Sequence, residues 1–124
     1  MKTLALLTLV ATASNAHAAD IQKFTRTSLR YFMEGPGDFA QPWMKDRCDE
    51  VDQASAKQGA EEAAKADCEK APGTKDCLVK YSRITVNGAL NDEALLRKYG
   101  LELRGDGYGY WGCEAEALVY GLSD

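Results

Sequence analysis

Past its first eighteen residues the chain has no histidine; the single one in 124 residues is His17. The commonest general base and the commonest metal ligand are absent together. No Cys-x-x-Cys or Cys-x-x-Cys-His spacing occurs, which excludes thioredoxin-type redox chemistry and haem attachment. No Gly-x-Ser-x-Gly, Ser-x-x-Lys or Cys/His arrangement occurs either, so the familiar nucleophile patterns are missing. Residues 19–124 hold no Asn-x-Ser/Thr acceptor. The apolar run at the start is too short for the ~20 residues that a bilayer requires, and no later stretch is apolar enough.

Residues 1–18 read as a secretory signal peptide. Lys2 gives the basic start, Leu4 to Ala13 a short apolar run, and Ala16-His17-Ala18 a small-x-small cleavage site. The expectation is a single domain over 19–124 in the periplasm or secreted. The net charge of the whole chain is −4; without Lys2 it is −5. An acidic balance argues against nucleic acid and against insertion into an anionic membrane, and toward a protein partner. Four cysteines, all beyond the signal, read as two disulfides.

The chain reads as mainly α: a small disulfide-stapled helical domain of four to five helices, with a Gly/aromatic loop or short hairpin near the C-terminus. Ile21, Phe24, Ser28, Tyr31 and Phe32 are spaced by threes and fours and predict a first helix over 21–33. A long helix is expected over 42–71, with Met44, Cys48 and Val51 inward beside Trp43, and its alanine-rich second half more exposed. Gly59 is its weak point, since mid-helix glycine costs ~1 kcal/mol relative to alanine. Pro72-Gly73 stops it. Cys77, Leu78, Tyr81, Ile84 and Thr85 suggest a third helix; a strand at Ile84-Thr85-Val86 turning at Asn87-Gly88 is the alternative. Asn91 is expected to cap a short helix that ends at Gly100. Residues 113–122 read as buried, helical in preference to strand.

A continuous long helix separates Cys48 from Cys68 by ~30 Å, far beyond the ~7 Å that a disulfide spans. Cys77 follows closely on the turn after Cys68. The geometry therefore favours Cys68–Cys77 and Cys48–Cys113.

No cluster carries chemistry strongly. Asp46, Asp49, Glu50 and Asp52 lie along one helix, not across a cleft as a glycosidase would need. Glu114 and Glu116 sit among apolar residues, where burial would raise their pKa values. Asp106 lacks the surrounding EF-hand spacing. We therefore expect no catalytic residues, no metal and no cofactor. Partner contact is assigned to Asp106, Tyr108, Tyr110 and Trp111, because glycines let a partner approach and Tyr and Trp are frequent binding anchors. The competing reading turns these rings inward to complete a small core.

The general build (signal peptide, an acidic domain of about 100 residues, two disulfides, no histidine) resembles small periplasmic inhibitor and immunity proteins. It implies a binding protein, not an enzyme, that blocks a cell-wall hydrolase or toxin, with the acidic surface steering toward a basic target. The alternative is an accessory or structural subunit of an envelope or secretion assembly, using the exposed helix around Glu61, Glu62 and Lys65.

Overall fold

The computed structural model describes residues 21–35, 47–102 and 109–123. They form one long helix on a three-stranded antiparallel sheet. The elements are β1 (Ile21–Glu34), α1 (Glu50–Lys70), β2 (Thr74–Ala89), α2 (Glu93–Lys98) and β3 (Gly109–Ser123), and the strand order is β1-β3-β2. The expectation of a four- to five-helix domain is therefore wrong. Residues 21–33, 77–85 and 113–122 are strand, not helix.

The reason is legible in the register. β1 pairs with β3 from Ile21↔Leu122 to Glu34↔Gly109 without a break. A spacing of four satisfies the helical period and also the strand period of two. Phe24, Ser28 and Phe32 are such a set, and they share one face of β1, toward α1. Ile21, Thr25, Thr27, Leu29, Tyr31 and Met33 share the other. Two-sided use of the strand hid the alternation, and Arg26 and Arg30 hid it further. Both lie on the helix side, where Arg26 pairs with Asp67 at 2.9 Å and Arg30 with Asp52 at 3.5 Å.

β3 is central and alternates small residues inward (Cys113, Ala115, Ala117, Val119), all fully buried, with Glu114, Glu116, Leu118, Tyr120 and Leu122 on the opposite face. Its alanines suggested helix; as the middle strand it needs small residues where α1 crosses it. β2 is an edge strand with three irregularities, at Thr74/Asp76, Val79/Tyr81 and Ile84/Val86. Asn87-Gly88 is not a hairpin turn. The strand runs through it, and the Asn87 side chain holds the Cys48 backbone, accepting from its N–H at 2.8 Å and donating to its carbonyl at 3.3 Å.

α1 begins later than the sequence suggests. Asp49 is its N-cap, accepting from the Asp52 N–H at 2.9 Å. Ala56, Ala60, Ala64 and Cys68, each four apart, form the stripe buried on the sheet. The second half is thus the better buried, and its alanines are in the core, contrary to expectation. Val51 is 76% exposed and no part of the core; Trp43 and Met44 lie outside the described residues. Gly59 does not interrupt the helix. A Cβ there would lie 2.5 Å from Ser28 Oγ, so glycine lets the helix settle on β1.

Both disulfides form as expected: Cys48–Cys113 with Cα atoms 5.9 Å apart, and Cys68–Cys77 at 6.1 Å. They tie the two ends of the helix to the sheet, one to the central strand and one to β2. Alanine-on-alanine packing buries little area per residue, so these crosslinks carry a large share of the stability. After α1, Gly73 takes φ +77° and the chain reverses into β2. α2 is capped by Asp92, not Asn91: the Asp92 carboxylate accepts from Ala94 N–H at 2.9 Å. Gly100 takes the left-handed φ of +73° that ends the helix. Among the described residues, no helix is long and apolar enough to cross a membrane.

Candidate functional site

α1 covers one face of the sheet. On the other face the segment from Leu90 to Leu101 covers only part, and it is anchored through Glu114. This carboxylate is 7% exposed. Its Oε2 accepts from Lys98 Nζ at 2.9 Å and from the Tyr99 hydroxyl at 2.7 Å. Its Oε1 accepts from Thr85 Oγ1 at 3.1 Å. Thr27 Oγ1 lies 2.7 Å from the Tyr99 oxygen. The phenol has one proton, which goes to the carboxylate, so the threonine donates.

Burial pushes the Glu114 carboxyl up, but the Tyr99 bond, the Lys98 bond and charge, and the Thr85 bond together outweigh it and hold it below the ordinary value. The expectation that burial would raise this group is therefore reversed. Tyr99 is pushed up to about 12, first by burial and then by the Glu114 bond and charge; the bond from Thr27 acts the other way. An ionised carboxylate with both oxygens occupied, beside a phenol held neutral, is an anchor that fastens α2 to the sheet. Glu116 is bound separately, to Arg83 Nη2 at 3.0 Å.

The rest of this face is open. Register places Ile21, Leu122 and Asp76 in one row, Lys23, Tyr120 and Leu78 in the next, and Thr25, Leu118 and Tyr81 in the third. Leu78 is 61% exposed, and Tyr81 and Leu122 are exposed as well. Lys23 Nζ and Lys80 Nζ stand 6.0 and 5.9 Å from the Tyr120 ring centre, both at the limit of cation–π range. The surface is apolar and aromatic, with the Lys23 and Lys80 ammonium groups at its flanks and the Asp76 carboxylate at one corner.

The residues singled out in the sequence fall elsewhere. Asp106 and Tyr108 lie outside the described residues. Tyr110 and Trp111 open β3. Trp111 is 9% exposed and stacks on Phe32 with ring centres 4.3 Å apart, on the α1 side of the sheet. Tyr110 meets Tyr31 edge to face at 5.9 Å on the opposite side. The two rings of the expected binding loop thus face opposite ways, one packed inward and one half-exposed. Sequence reasoning missed Tyr99, Lys98, Leu78, Tyr81 and Tyr120. The signal was present in β3, where Leu118, Tyr120 and Leu122 alternate with small residues and so mark two used faces.

Among the described residues no group of three or more His, Cys, Asp or Glu side chains could hold a metal ion. Comparison with family models, curated proteins and solved structures finds no match to the chain. The two disulfides are consistent with an oxidising, exported environment.

Proposed function

We propose that this is a small exported binding protein of the inhibitor or immunity type, which blocks a partner such as a cell-wall hydrolase or a toxin. The observation that carries the reading is the open part of the sheet face around Leu78, Tyr81, Tyr120 and Leu122. A soluble sheet normally covers or solvates such a face, and contiguous exposed apolar surface with a polar rim marks an interaction site. The face is rigid, because the helix behind it is crosslinked at both ends. Rigidity lowers the ordering cost of binding.

The titratable groups support binding over catalysis. Glu114, the most buried carboxylate among the described residues, is held ionised with both oxygens engaged, which leaves it no proton to donate. Lys23 and Lys80 border the face although the chain is acidic as a whole. The complementary partner surface is therefore apolar with carboxylates at its margin, unlike the basic target that net charge alone suggests.

The test is stoichiometric inhibition. The oxidised protein is titrated against purified muramidases, amidases and pore-forming or nuclease toxins, with wild type compared to Leu78→Asp and Tyr81→Asp. Both positions are exposed, so the variants keep the fold. One-to-one inhibition by wild type, lost in the variants, supports the proposal. Inhibition that survives both variants moves the site off this face, and no inhibition of any target removes the inhibitor reading.

A further inference from the structure

We propose that the outer edge of β1 is a pairing surface for a second copy of this chain, giving an isologous dimer with one continuous six-stranded sheet. Both β1 and β2 are edge strands, but they are not alike. β2 has three register irregularities along its length, the kind of feature that twists an edge away from partners. β1 runs fourteen residues with none. Among the described residues no strand pairs with its outer side.

Charge is the other usual guard of an edge, and here Lys23 is the one charged side chain that β1 carries on the open face. Arg26 and Arg30 point to the α1 side and are neutralised by Asp67 and Asp52. On the opposite side β1 carries Ile21 at 43%, Tyr31 at 45% and Met33 at 51% exposure. These are large apolar groups at the two ends of one strand, which is the arrangement that an antiparallel copy would bring together.

The register follows from face and charge. Residues directly opposite in an antiparallel pair point to the same face. A two-fold axis perpendicular to the sheet therefore sets odd positions against odd, and both α1 helices lie on one side. Two such registers use nearly the whole strand. Centred on Ser28, the pairing sets Arg26 against Arg30, like against like. Centred on Thr27, it sets Ile21 against Met33, Lys23 against Tyr31 and Thr25 against Leu29, and no like charges face each other. The second register is the one proposed. It covers all three exposed apolar groups of β1 and gives Lys23 an aromatic ring across the interface.

The experiment is sedimentation of the oxidised protein over a concentration series, with wild type, Ile21→Lys/Met33→Lys and Ile21→Lys/Met33→Glu compared. Both positions are exposed, and circular dichroism checks that each variant is folded. Wild type is expected to dimerise reversibly. The double-lysine variant sets ammonium against ammonium at both ends of the contact and should dissociate at roughly tenfold lower affinity or worse. The lysine/glutamate variant restores opposite charge at both ends of the contact and should dimerise more tightly than the double lysine. A wild type that stays monomeric to roughly 1 mM, where even weak specific contacts are half-formed, overturns the proposal. So does a dimer indifferent to the double lysine, or a lysine/glutamate variant no tighter than the double lysine.

Discussion

The Tyr99 hydroxyl and the Glu114 carboxylate meet at 2.7 Å, joining the turn after α2 to the centre of the sheet. Hydrogen bonds to a charged acceptor contribute ~1.5–3 kcal/mol, and Tyr99→Phe leaves the carboxylate short of one donor where water reaches poorly. The variant should lose about 2 kcal/mol in urea denaturation. Lys98→Met should cost less, because the lysine is half-exposed.

The same pair contributes to both limbs of the pH–stability curve. Glu114 is depressed in the folded protein, so its contribution is present above the unfolded carboxyl value of ~4.3 and is lost as pH falls through the folded value. Tyr99 is raised to about 12, so its contribution is present below the unfolded value of ~10 and is lost as pH rises toward 12. Melting temperature against pH should fall on both sides. Glu114→Gln should flatten the acid limb, and Tyr99→Phe the stretch between about 10 and 12.

Gly59→Ala should destabilise although alanine is the better helix former. The added methyl meets Ser28 Oγ at 2.5 Å and Ser28 Cβ at 3.2 Å. Adding Ser28→Ala removes the nearer atom. A double-mutant cycle should therefore give a favourable coupling of about 1 kcal/mol, and an additive cycle would show that the helix can shift without cost.

The disulfides should be unequal. Cys48–Cys113 spans 65 residues and Cys68–Cys77 spans 9. Chain-entropy scaling gives about 4 kcal/mol for the first and about 2.6 kcal/mol for the second. Replacing each pair by alanine and comparing urea midpoints checks the order. The longer bridge also fixes the start of α1, so its loss should speed amide exchange at residues 50–56 before that at 64–70.

Trp111→Ala should cost about 3–5 kcal/mol, as large-to-small changes at buried aromatic positions do. Thermal denaturation measures it. The substitution is consequently a poor probe of binding, because lost affinity and lost fold would look alike.

Much of the covalent frame was legible in the sequence and little of the sheet. Cys48 and Cys68 had to find partners elsewhere because α1 is continuous, and that reasoning survives the change of Cys77 from helix to strand. Pro72-Gly73, Gly100 and the run 50–70 announced themselves through local chemistry. β1 did not, because fourfold spacing fits both periods, and its polar residues face α1 as well as solvent. β3 did not, because alanine is read as a helix former while its role here is to be small under α1. The Glu114 anchor was half visible: its burial could be foreseen, but its donors Lys98 and Tyr99 arrive only when α2 folds over the sheet. The open face was invisible, since it depends on how far the segment after β2 reaches.

Ile21 and Leu122 are register partners, so both ends of the folded unit leave from one corner. Tension applied there would open the β1–β3 ladder as a zipper, one pair at a time, and would peel β3 from β2 as the arm left the sheet. Unravelling would stop at Cys48 on one arm and Cys113 on the other, because those residues are bonded to each other. The arms released are Ile21 to Cys48 and Cys113 to Ser123, roughly 130 Å of extended chain at ~3.5 Å per residue. The force would then pass through the sulfur bridge and bypass everything between, so α1, β2 and α2 would bear no load.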